Sequence, residues 1–411
     1  MVVSCAETED EQNRFFYICN LHRHEADYYV VFRSGKFYCK EKPYCKEASN
    51  EKNMRFSFGN VIPFERIDVV ELDMNGIINL IRHSDESCNI NKDDVCTHLR
   101  NCASKHNVNV SKWQDFLESI ESNYGFNNND LWLDYESEKN LIKLLLNEKD
   151  LPSTVYRYTS LNALNRIFND ENSQCKHSMS SLVTMNDVTE VDYANCYLKQ
   201  TGVDFSNHDL YREKQNSVHA YINSFSSLHD DLTLWRLYGD NAKGICIEYD
   251  TDSFDSKSDF ILAYVSYADK SGKNVKLDFI AELMNTMVKG HHFRLRLWHI
   301  WQHFFKPYEY RVENEIRLLA FVDDLNFCIN KYERKWVTTP NNIFTPLLIL
   351  PLCQKNSSYF YPLSIKGVIL GCKFVEKDVN RITWEYKIKD EHAACIHHDF
   401  HVRISNIDSY R

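Results

Sequence analysis

The chain has 411 residues, with 48 Lys+Arg against 58 Asp+Glu for a net charge of -10. With 43% hydrophobic and 26% charged residues it has the make-up of a globular protein of two or three domains, and fibrous or broadly disordered classes are excluded. The acidic balance argues against a basic nucleic-acid scaffold, though not against a local basic face.

Glycine narrows the options further. There are 11 in 411 residues and no two stand two residues apart, so no G-x-G-x-x-G dinucleotide fingerprint exists. Gly239 to Gly244 has the internal gap of a phosphate loop but continues Ile245-Cys246 where Lys and a hydroxyl are required. The 14 cysteines include no C-x-x-C pair, which removes the usual structural zinc clamp. Cys395, His397, His398 and His401 form the best metal candidate, and a solvated terminal strand accounts for them better, so no metal is expected. The polar segment Met1 to Arg14 lacks an apolar leader core, and the longest apolar run, Phe260 to Val265, is too short to span a bilayer. Abundant free thiols without such segments lead us to expect a cytoplasmic protein with no membrane partner.

In chain order, Phe15 to Ile18, Tyr28 to Phe32 and Lys36 to Cys39 have strand composition, the latter two joined as a hairpin at Ser34-Gly35. We expect residues 1–70 to be a β-rich unit. Helical spacing of Ile77, Ile78, Leu80, Ile81, then Trp113, Phe116, Leu117, Ile120, then Leu141, Leu144, Leu145 predicts a helical region over 71–150. A boundary near Glu148 to Pro152 opens an α+β domain over 151–411. Its strands are expected at Thr154 to Tyr158, His219 to Phe225, Gly244 to Tyr249, Phe260 to Tyr267, Ile316 to Val322 and Ile365 to Leu370. A long aromatic helix is expected from about Leu277 to Phe305. Strand and helix do not alternate regularly, so the sheet should be mostly antiparallel with flanking helices.

Four stretches carry possible chemistry. In Arg311-Val312-Glu313-Asn314-Glu315-Ile316-Arg317, a strand period of two places Arg311, Glu313, Glu315 and Arg317 on one face. Two carboxylates flanked by guanidinium groups stay ionised, and the same pattern also suits an exposed, ion-paired strand. Arg157, beside Thr159, can grip a phosphate or ribose with its planar fork of donors, or snorkel at a strand edge. Ser224 and Ser226 leave a strand ahead of Trp235 and Tyr238, which can flank a planar ring or pack in the core. Met185 to Glu190 suits a turn and helix cap.

These segments, Tyr-Arg-Tyr-Thr-Ser at 156–160, Asn186-Asp187 with Glu190, Ser224-Phe225-Ser226 with Leu234-Trp235 and Tyr238-Gly239, Glu313-Asn314-Glu315 with Arg317, and Ile365 to Gly371, resemble in order and spacing the bacterial domain-of-unknown-function family 2971 over about Pro152 to Ile388. Val188 departs from it, since that family usually has proline after Asn-Asp. The pattern in turn resembles the arginine, serine, glutamate signature of ADP-ribosyltransferases. That resemblance implies a split, mostly antiparallel sheet and NAD bound without a Rossmann fingerprint. Carried over, Arg157 and Thr159 would hold the cofactor with Ser224 and Ser226 in support and Tyr238 or Trp235 stacked on nicotinamide. Glu315 would be the catalytic carboxylate, with Glu313 beside the acceptor. Family-level association adds a toxin or phage-defence role and an antitoxin or regulatory partner.

From Lys289 to Lys306, Arg294, Arg296 and Trp298 belong to a run of basic and aromatic residues without an acidic one, which suits an RNA acceptor or a core helix with solvated cations. The acceptor is expected to be RNA or protein. Two other readings stand beside this one. Asp378 with Glu385 and Lys387 suggests a metal-dependent nuclease, and the strand 311–317 as a mere ion-paired face suggests a non-enzymatic sensor or interaction module.

Overall fold

The computed structural model describes residues 90–411, apart from 121–123, 127–129, 169–174, 183–187, 204–219, 255–259, 296, 323–332, 339–343, 353–359 and 409–411. Within 1–89 it describes six strands as elements. The chain divides into two compact units, Met1–Asn89 and Ile90–Arg411.

The first unit is a six-stranded sheet in sequential order, β1 (Val2–Ser4), β2 (Arg14–Cys19), β3 (Tyr28–Arg33), β4 (Lys36–Glu41), β5 (Ile67–Leu72) and β6 (Ile78–Arg82). The hairpin read at Ser34-Gly35 is β3 and β4, paired from Tyr28↔Glu41 to Arg33↔Lys36. Ile78 to Arg82, read as helical from its apolar spacing, is instead a strand paired with β5. Three apolar residues in five fit either period, and the neighbouring strand decides.

In the second unit, helices at Gln114–Ser119 and Tyr135–Leu146 match the apolar spacing read there, and a further helix, Lys92–Lys105, precedes them. Between them lie two short strands, β7 (Tyr124–Phe126) and β8 (Asp130–Leu133). The main sheet then collects ten strands. In chain order they are β9 (Thr154–Thr159), β10 (Lys176–Ser181), β11 (Ala220–Ser226), β12 (Ile245–Asp250), β13 (Phe260–Tyr264), β18 (Glu315–Phe321), β19 (Glu333–Thr338), β20 (Phe344–Pro351), β21 (Ser364–Leu370) and β22 (Ile396–Ile404). The short β14 (Ser266–Tyr267), β15 (Met287–Val288), β16 (His291–Phe293) and β17 (Phe305–Lys306) belong to smaller sheets.

β11 is the branch point. One of its edges pairs along its whole length with β18, from Ala220↔Phe321 to Ser226↔Glu315. The other edge is shared, with Ser180 and Ser181 of β10 opposite Ile222 and Tyr221, and Tyr156 of β9 opposite Ser226. The sheet therefore forks into β10-β20-β19 and β9-β12-β21-β22. All pairings in it are antiparallel except β21 with β22. The fold is thus α+β around a large, mostly antiparallel sheet with flanking helices, as expected, and no barrel closes.

Period-two alternation gives the sheet two distinct faces. Val155, Tyr221, Phe225, Ile247, Tyr249, Ile316, Leu318, Val368 and Leu370 face the larger core. Tyr158, Cys246 and Ile369 face the other way, under Leu234 and Trp235 of the helix Leu232–Leu237. Asp231 caps that helix by accepting hydrogen bonds from the amides of Thr233 and Leu234. Gly244, read as half of a failed phosphate loop, serves close approach. A Cβ there would sit 2.3 Å from the Thr159 carbonyl oxygen.

The single long helix expected from Leu277 to Phe305 is absent. A helix runs Val275–Asn285 and gives way to β15, β16 and a short turn of helix at Trp298–Trp301. Lys289 (φ 47°) and Gly290 (φ 86°) are left-handed, a conformation no α-helix interior accepts.

Candidate functional site

The strongest concentration of charge lies where β18 begins. Tyr308–Glu313 is a 3-10 turn, not the strand expected there, and Asn314 (φ 42°, left-handed) ends it and starts the strand at Glu315. This geometry removes Arg311 from the group: it is exposed and lies over the Tyr308 ring. Lys306 takes its place, with Nζ 2.8 Å from Glu313 Oε2 and 2.7 Å from Glu315 Oε2. Arg317 donates from Nε to Glu315 Oε1 at 2.8 Å and from Nη2 to Oε2 at 3.0 Å. It also donates to the carbonyl of His303.

All four charged groups are buried and their formal charges cancel. Burial alone would raise the Glu315 pKa, but Arg317 and Lys306 outweigh it and bring the carboxyl down to about 2. Tyr267 accepts a hydrogen bond from the Glu315 amide at 2.9 Å, and Tyr238 donates to Glu313 Oε1. Tyr267 is held in its neutral form, first by burial and then by the Glu315 charge.

Glu315 also lines a cavity of about 340 Å³ with Glu148, Lys149, Tyr264, Tyr267 and Asn314. Lys276 is at its wall, donating to the Leu146 carbonyl at 3.2 Å. That volume is at the small end of ligand pockets.

Pairing registers place a second feature on the same face. Glu315 is opposite Ser226, Ser226 opposite Tyr156, Tyr156 opposite Glu248, Glu248 opposite Gly367, and Gly367 opposite His401. One row of side chains thus crosses six strands. With strands about 4.8 Å apart, the two buried carboxylates Glu315 and Glu248 are separated by about 14 Å along it.

The residues expected to converge are divided between the two faces. Ser224 and Ser226 share the face of Glu315, Ser224 exposed and Ser226 buried. The Ser226 hydroxyl is engaged in structure, donating to the Glu313 carbonyl at 2.7 Å and accepting from the Leu228 amide. Tyr238 is 48% exposed and touches Glu313, as a site residue should.

Arg157, in contrast, is one position out of step with Tyr156 and turns to the opposite face. There it donates to Asn223 Oδ1 at 2.7 Å, beside the buried His177, Tyr249 and Tyr361. It cannot share a pocket with Glu315, and the expected anchor role in that pocket is corrected. Thr159 ends the same strand, on the face of Arg157. Trp235, expected to stack on a ligand, is fully buried, with its ring against Tyr158 and its Nε1 donating to Asp230 at 2.7 Å.

The expected acceptor surface is also corrected. Trp298 is buried and donates to Asn195 Oδ1 at 2.7 Å, and Arg294 is paired with Asp130 at 2.7 Å. Arg296 lies outside the described residues. The nuclease constellation fails for a geometric reason: Glu385 and Lys387 stand on the helix Lys377–His392, where residues two apart point in nearly opposite directions. Glu385 pairs with Lys389, and Lys387 with Glu391. In the carboxy-terminal histidine run, ligand atoms of His397, His398 and Asp399 come within 4.8 Å of one another at the surface, without Cys395 or His401.

Sequence reasoning missed Tyr267, Glu248 and Arg403, and named His401 only in a possible metal-binding run. Lys306 was visible only as a basic residue in a supposed helix. Glu248 was signalled by its position as a lone acid in the apolar strand Ile245 to Tyr249.

The family described as "Protein of unknown function (DUF2971)" matches residues 234–318, a segment that contains Tyr238, Glu248, Lys306, Glu313, Glu315 and Arg317. No curated protein and no solved structure matches the chain. Among the described residues no helix is long and apolar enough to cross a membrane.

Proposed function

We propose that the cavity beside Glu315 is an NAD-dependent ADP-ribosyltransferase site, with an RNA or protein nucleophile as acceptor. The observation that carries the reading is that Glu315, whose buried carboxylate is held ionised with a pKa of about 2, is among the residues lining a ligand-sized cavity.

Cleavage of the nicotinamide-ribose bond sends its electron pair to the leaving nicotinamide and leaves positive charge on the ribose carbon and ring oxygen. An ionised Glu315 stabilises that charge in the transition state more than in the ground state. In this reading Glu313, which contacts Lys306 and the exposed Tyr238, orients the acceptor nucleophile and takes its proton once Tyr238 moves aside. Tyr267, whose hydroxyl accepts from the Glu315 amide, offers aromatic surface to a planar leaving group. Lys149 and Lys276, at the same wall, supply the cations that Arg157 does not.

A second reading rests on a different observation. Both oxygens of Glu315 are already bound by Arg317 and Lys306, so the quartet is electrically neutral and complete as a structural ion network. In that reading the chain is a non-enzymatic interaction module. Titration of NAD into the wild type and Glu315→Gln separates the two. Saturable binding that weakens in the variant while its fold is retained supports the enzyme, and no binding to either supports the module.

A further inference from the structure

Glu248 lies at the far end of the register row from Glu315 and is built as the floor of a second site. Its carboxylate is 2% exposed and receives the Arg403 and His401 side chains from β22. Arg403 Nη2 contacts Oε1, and His401 Nε2 lies 2.8 Å from Oε2. Oε2 makes no aligned hydrogen bond, so a buried oxygen is left short of a donor.

The backbone makes room for this arrangement. A Cβ at position 367 would meet Glu248 Oε2 at 2.4 Å and His401 Nε2 at 2.9 Å, so glycine is required between the two side chains. Above the floor stand Tyr156, opposite Glu248 in register, and the exposed His229, whose ring packs edge-on to Tyr156 at 5.2 Å.

The chemistry of this cluster is directional. Glu248 is buried behind the sheet surface and holds Arg403 by one nitrogen, while the Arg403 side chain is 44% exposed. A planar guanidinium fixed on one side by a carboxylate presents its remaining N–H groups outward in a set orientation, a geometry suited to a tetrahedral oxyanion. His229 and the Tyr156 hydroxyl add donors, while both ring nitrogens of His401 are taken up by Glu248 and the Asp399 carbonyl, so His401 braces the floor.

We propose that Tyr156, His229 and Arg403, the last seated on Glu248 beside His401, form a binding site for a phosphoryl group. The site is distinct from the Glu315 cavity and does not depend on the chemistry assigned there. Its ligand is of the phosphoryl class, probed as free pyrophosphate and as the diphosphate of a nucleotide.

Isothermal titration of the full chain with pyrophosphate and, separately, ADP tests the proposal. The expected result is saturable binding, weakened at least tenfold in Arg403→Ala and measurably in His229→Ala. Tighter binding of ADP than of pyrophosphate identifies a nucleotide as the source, and equal affinities identify the bare anion. Because Arg403→Ala leaves a buried carboxylate short of a partner, Arg403→Lys is included: it keeps the charge, loses the fork, and is expected to bind at intermediate strength. Absence of saturable binding by the wild type, or affinities unchanged in both Arg403→Ala and His229→Ala, would overturn the proposal.

Discussion

Arg157 and Glu315 stand on opposite faces of one sheet, although their strands both pair with β11. Glu315 is opposite Ser226, and Ser226 is opposite Tyr156, so the neighbouring Arg157 turns away toward Asn223. A single position of register therefore decides which side chains can meet at a ligand. The face that holds Glu315 takes its cations from Lys306 and Arg317, and the face that holds Arg157 pairs it with neutral groups at Asn223 and Tyr249.

Glu315→Gln removes the negative charge that Arg317 contacts through two nitrogens and leaves a buried guanidinium facing a neutral amide. Breaking a buried pair from one side costs about 3–5 kcal/mol. We expect a lower denaturation midpoint with an unchanged denaturant slope in chemical unfolding. A loss below about 1 kcal/mol would show that the quartet contributes little.

Acid sensitivity follows in two stages. His303 is held neutral by burial and by Arg317, with its pKa brought from 6.5 to about 3, and burial keeps His177 far below 6.5 as well. Both take up protons more readily in the unfolded chain, so their contribution is present above pH 6.5 and is lost as pH falls below it. Glu315, lowered from 4.5 to about 2, contributes fully above pH 4.5 and loses that contribution down to about pH 2. Urea midpoints measured from pH 8 to pH 3 should decline below pH 6.5 and more steeply below 4.5. In His303→Gln the first decline should be shallower.

Trp298→Ala should cost about 3–5 kcal/mol, the range for emptying a large buried aromatic site. The change also removes the indole hydrogen bond to Asn195 Oδ1. A stacking platform for nucleic acid would instead tolerate the change and lose only binding, so thermal unfolding of this variant distinguishes the two roles.

Gly367→Ala places a methyl group against the Glu248 carboxylate and the His401 ring. The expected cost is about 1–3 kcal/mol from overpacking. Thermal unfolding of the variant checks it, and a midpoint equal to that of the wild type would mean that β21 shifts freely.

Much of the fold was legible because its signals are local. Ala220 to Ser226, Ile245 to Asp250 and Ser364 to Leu370 carry strand composition over six or seven residues, and each forms where expected. Ile78 to Arg82 was misread because a short apolar run fits both periods. The stretch Lys289 to Lys306 was misread because aromatic density imitates a helix face, while two left-handed residues interrupt it.

The site was legible only in part. Glu313 and Glu315 stand out as paired acids, and Ser224 and Ser226 as alternate hydroxyls on a strand. Their partners come from distant sequence: Lys306 from a two-residue strand and Arg403 from the last strand of the chain. Which face Arg157 occupies is fixed by one cross-strand pair, Tyr156 with Ser226, and no pattern within β9 reveals it.

The most direct measurement is the release of nicotinamide from labelled NAD by the wild type and by Glu315→Gln, with candidate RNA and protein acceptors present. Nicotinamide release by the wild type, reduced at least a hundredfold in a folded Glu315→Gln, is the predicted result. Equal release by both proteins, or none by either, would contradict the role assigned to Glu315.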